Sequence, residues 1–138
     1  MKFLVFLLLP VFFISCNSSK KTQAVAEDLN GEWIPVQQEL GGNKLPHAYY
    51  EHQKLTLQDN KYTLVAESVD KGEVKYSNGK MDIYGKEGVN AGKHFPAIYK
   101  YENGMLTVCY NLAGNSYPIA FETRPNTLLF LSVFKRKG

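Results

Sequence analysis

Cysteine is nearly absent from this chain: 138 residues contain two, Cys16 and Cys109. A disulfide scaffold is excluded, because such folds need several closed pairs. No strong charge of either sign is present, since the formal net charge is +3 and spread along the sequence. That removes the main electrostatic reason to expect a nucleic-acid partner. Long apolar runs are missing everywhere except at the very start, which excludes a multi-pass membrane protein. Glycine follows no three-residue period, so the chain is not collagen-like. There is one tryptophan, Trp33, and no convincing stretch of helical periodicity.

The apolar start has its own logic. Met1-Lys2 forms a short positive region, and residues 3–13 are apolar throughout, with four of the eight phenylalanines. The run is shorter than the roughly 20 residues that span a bilayer. Residues 1–15 therefore read as a secretory signal peptide. The next step is carried by Phe13-Ile14-Ser15-Cys16, which resembles a bacterial lipobox, with Phe13 in place of the usual Leu. The resemblance implies that Cys16 is lipidated and becomes the mature N-terminus. Residues 16–28 are mostly polar and lack aromatics, the composition of a flexible tether. Two or three acyl chains hold a protein on a membrane far better than one, since each buried CH₂ contributes about 0.8 kcal/mol. The expected location is the cell membrane or outer membrane, facing the periplasm. With Cys16 acylated, Cys109 is the sole remaining thiol, and the domain must hold together by burial alone.

From residue 29 to the end the pattern alternates. Candidate strands are 32–40, 54–58, 61–67, 73–76, 80–84, 95–101, 105–110, 118–123 and 127–135. Leu55 and Leu57 flank Thr56; Tyr62, Leu64 and Ala66 flank Thr63 and Val65; Ala97, Tyr99 and Tyr101 share a face opposite Lys100. Asp59-Asn60, Asn78-Gly79 and Asn103-Gly104 supply the positive-φ residues that tight hairpins need. Lys71-Gly72 and Pro125-Asn126 read as further turns. Tight turns imply antiparallel neighbours, and successive hairpins of this number favour an all-β, up-and-down barrel of eight to nine strands. Residues 46–52 are expected to form one short helix, placed to cover an open end. The last strand is apolar on both faces, so one face should enter the barrel and the other lie under a covering segment.

Three stretches then carry a family resemblance. They are Gly31-Glu32-Trp33, Gly42-Asn43-Lys44-Leu45-Pro46 and the run 98–110, from Ile98 through Asn103-Gly104 to Cys109-Tyr110. In this order they resemble the bacterial lipocalin-like domains, often borne by lipoproteins, and the likeness covers nearly all of residues 29–138. Where that family tends to place Arg-Pro, this chain has Tyr117-Pro118, so an anion contact by that Arg is lost. The resemblance implies a lipocalin-like barrel in which Lys135 or Arg136 packs over Trp33. Trp33 itself then serves as the floor of a cavity or as a plug of the core, with the plug favoured.

An eight-stranded barrel either fills with side chains or holds one small ligand. The candidate cavity residues are Trp33, Tyr62, Tyr76, Tyr99, Tyr101, Tyr110, Phe121 and Phe130. Catalysis finds no support: His47, Glu51 and His52 miss the His-Glu-x-x-His spacing, with His94 available as a third ligand only if the fold brings it near. Cys109 lacks an adjacent base and reads as a buried small hydrophobe, and residues 88–93 read as a long hairpin loop rather than a phosphate cradle. No cofactor or metal is expected. Two functions stay open. One is a tethered carrier of a small, largely apolar molecule. The other is a protein-interaction lipoprotein, an inhibitor or assembly factor, with a filled barrel and a surface at 45–52 and 89–94.

Overall fold

A computed structural model describes residues 28–138. The signal peptide expected at 1–15, the lipidation expected at Cys16 and the tether expected from there to residue 27 lie outside the described residues. Nine strands follow in order: β1 (Gly31–Leu40), β2 (Asn43–Lys44), β3 (Lys54–Gln58), β4 (Lys61–Val65), β5 (Val69–Ser77), β6 (Lys80–Glu87), β7 (His94–Glu102), β8 (Met105–Asn111) and β9 (Leu129–Arg136). Every pairing is antiparallel, and β1 also pairs with β9. Eight strands therefore close into an up-and-down barrel, and β2 is a two-residue addition on the end of β1.

The turns do what their chemistry dictates. Asp59, Asn60, Asn78, Gly79, Asn103 and Gly104 all have positive φ, which lets two-residue connections match the twist of the strands they join. Period-two alternation then sorts the side chains. Cross-strand partners run Trp33, Leu55, Leu64, Asp70 around one arc of the inner wall, and Leu40, Phe130, Tyr110, Ala97, Met81 around another. The buried core takes Trp33, Leu55, Ala97 and Met81 from these arcs, with Leu57, Tyr62, Val74, Ile83, Leu106, Val108 and Phe134, and Leu64 and Tyr110 pack against it.

Register also defines two ends. The hairpins at 59–60, 78–79 and 103–104 gather at one end with the entry of the chain. The connections 41–42, 66–68, 88–93 and 112–128 gather at the other.

Three expectations need correction. Lys71-Gly72 is not a turn; it lies inside β5, and the chain reverses instead at 66–68. Gly72 is there because the wall is tight: a Cβ would stand 2.0 Å from the Tyr84 carbonyl oxygen and 2.6 Å from the Tyr62 ring. Residues 118–123 form no strand. Once β9 pairs with both β8 and β1, the barrel offers this segment no ladder to join. It packs outside, where the Cys109 thiol donates to the Glu122 carbonyl at 3.7 Å. This segment is the cover expected over the final strands, and under it outward Cys109 and Leu131 are buried. The short helix contracts to one 3-10 turn, His47–Tyr49. It stitches the side of the barrel, where β1 and β3 part after Trp33. Tyr50 donates its hydroxyl proton to the Val36 carbonyl, and Gln38 donates to Gln53 at 2.9 Å.

Candidate functional site

At the end where the chain enters, the barrel is shut. Trp33 is wholly buried, and its indole N–H donates to the Leu29 carbonyl at 2.9 Å. Tyr101 meets it edge-on at 5.7 Å between ring centres, and the Arg136 guanidinium lies 4.4 Å over its face. Arg136 also donates to the carbonyls of Asn30, at 2.7 Å, and Asp28. A cation over an indole contributes about 0.5–2 kcal/mol, so this one side chain both caps the tryptophan and fixes the incoming chain. Of the two basic residues considered, Arg136 takes the position.

Above this plug the barrel is hollow. A cavity of about 480 Å³ is lined by Leu40, Leu55, Leu57, Leu64, Val74, Met81, Ile83, Phe95, Leu112 and Phe130, with Tyr62 and Tyr110. It is within the range of small-molecule pockets. Its wall also holds Asp70, Asn90 and Lys93, all near the end that gathers the longer connections. Lys93 is exposed and Leu40 partly so, so the cavity opens to solvent there. The 88–93 loop crosses this mouth. It is drawn in by backbone bonds between Gly85 and both Gly92 and Lys93, and Gly85 permits the approach because a Cβ would meet the Asn90 carbonyl oxygen at 1.9 Å. A second depression, of about 450 Å³ along 111–129, belongs to the folded-over connection outside the barrel.

The candidate cavity residues separate accordingly. Tyr62, Tyr110 and Phe130 line the cavity, the last two with ring centres 5.7 Å apart. Trp33 and Tyr101 form the plug below it. Tyr76 and Tyr99 pack edge-on against each other at 5.5 Å, against the core but off the cavity wall. Phe121 lies on the outside, under the Lys100 ammonium at 4.8 Å. The inference that placed it inward assumed that 118–123 is a strand. Asp70 and Asn90 were missed, although the alternation of Lys71, Glu73 and Lys75 with Gly72, Val74 and Tyr76, extended back, places Asp70 inward.

Burial sets the titration of the inner tyrosines. It raises the Tyr62 hydroxyl strongly, helped by the charge and hydrogen bond of Asp70, and raises Tyr110 likewise. Tyr76 is pushed up to about 12, by burial first and then by Tyr99. Each phenol keeps its proton longer folded than unfolded. The stability this reflects is whole below the ordinary tyrosine value of about 10 and is lost as pH rises through the raised folded values, about 12 for Tyr76 and higher for Tyr62 and Tyr110. Alkaline titration should therefore show these tyrosines ionising together with loss of the far-ultraviolet strand signal. Their ionisation with the barrel intact would contradict the assignment.

The histidines are dispersed. His47 and His52 lie 3.6 and 3.3 Å from Glu51 on the exposed turn. His94 is on the barrel's outer face, 2.7 Å from Asp82, stacked on Tyr84 at 4.6 Å. Tyr117 donates to the same Asp82 carboxylate at 2.7 Å, which raises the phenol's pKa. Among the described residues no group of three His, Cys, Asp or Glu side chains is placed to hold a metal ion, and no helix is long and apolar enough to cross a membrane. Compared with known protein families, curated proteins and solved structures, the chain matches none.

Proposed function

We propose that this protein is a lipid-tethered, lipocalin-like binding protein that accepts one small, largely apolar molecule in its barrel. It acts as a carrier and not a catalyst. The observation that supports this reading is the cavity itself, about 480 Å³ with a largely apolar wall. The protein-interaction alternative needs a filled barrel, and a hollow one speaks against it. The neutral fluorophore N-phenyl-1-naphthylamine should bind saturably at one site per chain, with a Kd in the micromolar range. Native mass spectrometry after gentle purification should show a co-purifying small molecule that the fluorophore displaces. Binding that never saturates, with no retained molecule, would remove the carrier role.

The tether is tested separately. Cys16→Ser should move the protein from the membrane fraction to the soluble fraction. Continued membrane retention of that variant would refute the anchor at Cys16.

A further inference from the structure

The cavity wall is largely apolar, and of its charge-bearing members near the mouth, Asp70 and Lys93, only Asp70 is buried. Asp70 is only 5% exposed. Its Oδ2 accepts from the Tyr62 hydroxyl at 3.2 Å and from the Asn90 side-chain amide at 2.8 Å. Its Oδ1 is buried with no hydrogen-bond partner, alone in this among the described residues. Oδ1 faces the glycine turn at the start of the 88–93 loop, 3.2 Å from where a Cβ on Gly88 would stand. No cation lies within ion-pair distance of this carboxylate among the described residues. Lys93 lines the same cavity but stands exposed at the mouth.

A buried carboxylate held by neutral donors alone is costly, and buried polar groups without partners call for a reason. A barrel that needed only an apolar lumen would place leucine or valine here, as it does at the neighbouring inward positions Leu64 and Val74. We infer that Asp70 is the recognition point for the polar end of the ligand, and that the ligand is an amphiphile with an apolar body and a cationic amine head. This rests on the carrier reading above and specifies its ligand class.

The body enters the barrel toward Leu57, Val74 and Ile83, and the ammonium displaces the Asn90 amide from Asp70 Oδ2 and gives a further donor to the unpartnered Oδ1. An ammonium offers three donors and a full charge where the amide offers a dipole, and charge-assisted bonds are about twice as strong. Asn90 sits on the 88–93 loop, so the head group exchanges with a loop contact and not with the barrel wall. An anionic head is the chemical opposite: it would pair with Lys93 in solvent while lying beside a buried like charge. Screening weakens the first interaction far more than the second.

Calorimetric titration of the full chain at pH 7 with decylamine, 1-decanol and decanoate tests this. The expected order is amine, then alcohol, then carboxylate, with at least tenfold between the first and last. Asp70→Asn should erase the difference between amine and carboxylate while still binding 1-decanol, which shows that the barrel remains folded and hollow. Lys93→Ala should leave the amine preference in place. Equal binding of all three ligands, or a carboxylate preference that disappears in Lys93→Ala, overturns the head-group assignment and leaves the carrier reading standing. Failure of every ligand to bind the unaltered chain overturns both.

Discussion

Replacing Trp33 by alanine should lower the free energy of unfolding by about 3–5 kcal/mol, the range for emptying a large aromatic site in a packed core. The size of the loss follows from how many separate functions meet in this ring. Trp33 is completely buried, its N–H is satisfied by Leu29, Tyr101 abuts its edge and Arg136 covers its face. Alanine leaves the Leu29 carbonyl without its donor and the guanidinium without its platform. Arg136→Leu keeps the ring and removes only the cation and its two carbonyl contacts, so its cost should be smaller, about 1–2 kcal/mol. Urea unfolding followed by circular dichroism measures both, since fluorescence would vanish with the tryptophan. Equal losses would mean that the plug is held mainly by Arg136.

The second large effect concerns the hollow. Ile83→Trp should abolish binding of the naphthylamine probe, with a loss of at least tenfold in affinity, or about 1.4 kcal/mol. Ile83 points inward from β6 between Val74 and Phe95, and its side chain forms part of the cavity wall. An indole there grows into space that is already empty. The usual overpacking cost of about 1–3 kcal/mol should therefore be largely avoided. The expected signature is a folded protein with an unchanged or higher midpoint and no probe binding. Retained binding would place the probe elsewhere, and the depression along 111–129 would be the next site to test.

Much of the architecture was legible in the residues. Alternation and Asn-Gly chemistry are local signals, and they marked most of the strands and the antiparallel order. Gly31-Glu32-Trp33 marked the opening of the domain with Trp33 as floor or plug, and a basic residue over Trp33 was expected from the resemblance to lipocalin barrels. The errors share a physical cause. Gly72 was read by its backbone freedom as a turn residue, whereas the wall required its lack of a side chain. Residues 118–123 carry strand-like composition, but a strand needs an unpaired neighbour, and barrel closure had used every one. Phe121 was misplaced with that segment. Asp70 was lost for the first reason: a turn at 71–72 hides the alternation that points its carboxylate inward. A cavity is a balance of volumes across eight strands, and no local pattern encodes that balance.

The chain enters the barrel beside Arg136, whose guanidinium holds the carbonyls of Asp28 and Asn30, and the hollow opens at the opposite pole. If Cys16 carries the proposed anchor, the eleven residues between it and Asp28 would reach at most roughly 40 Å. Under the anchor proposed above, the closed pole would be the part of the domain joined to the membrane, and the opening would lie on the far side of the barrel. On that arrangement a cargo molecule would exchange with a donor or acceptor in the aqueous compartment, and direct exchange with the leaflet would require the domain to turn over.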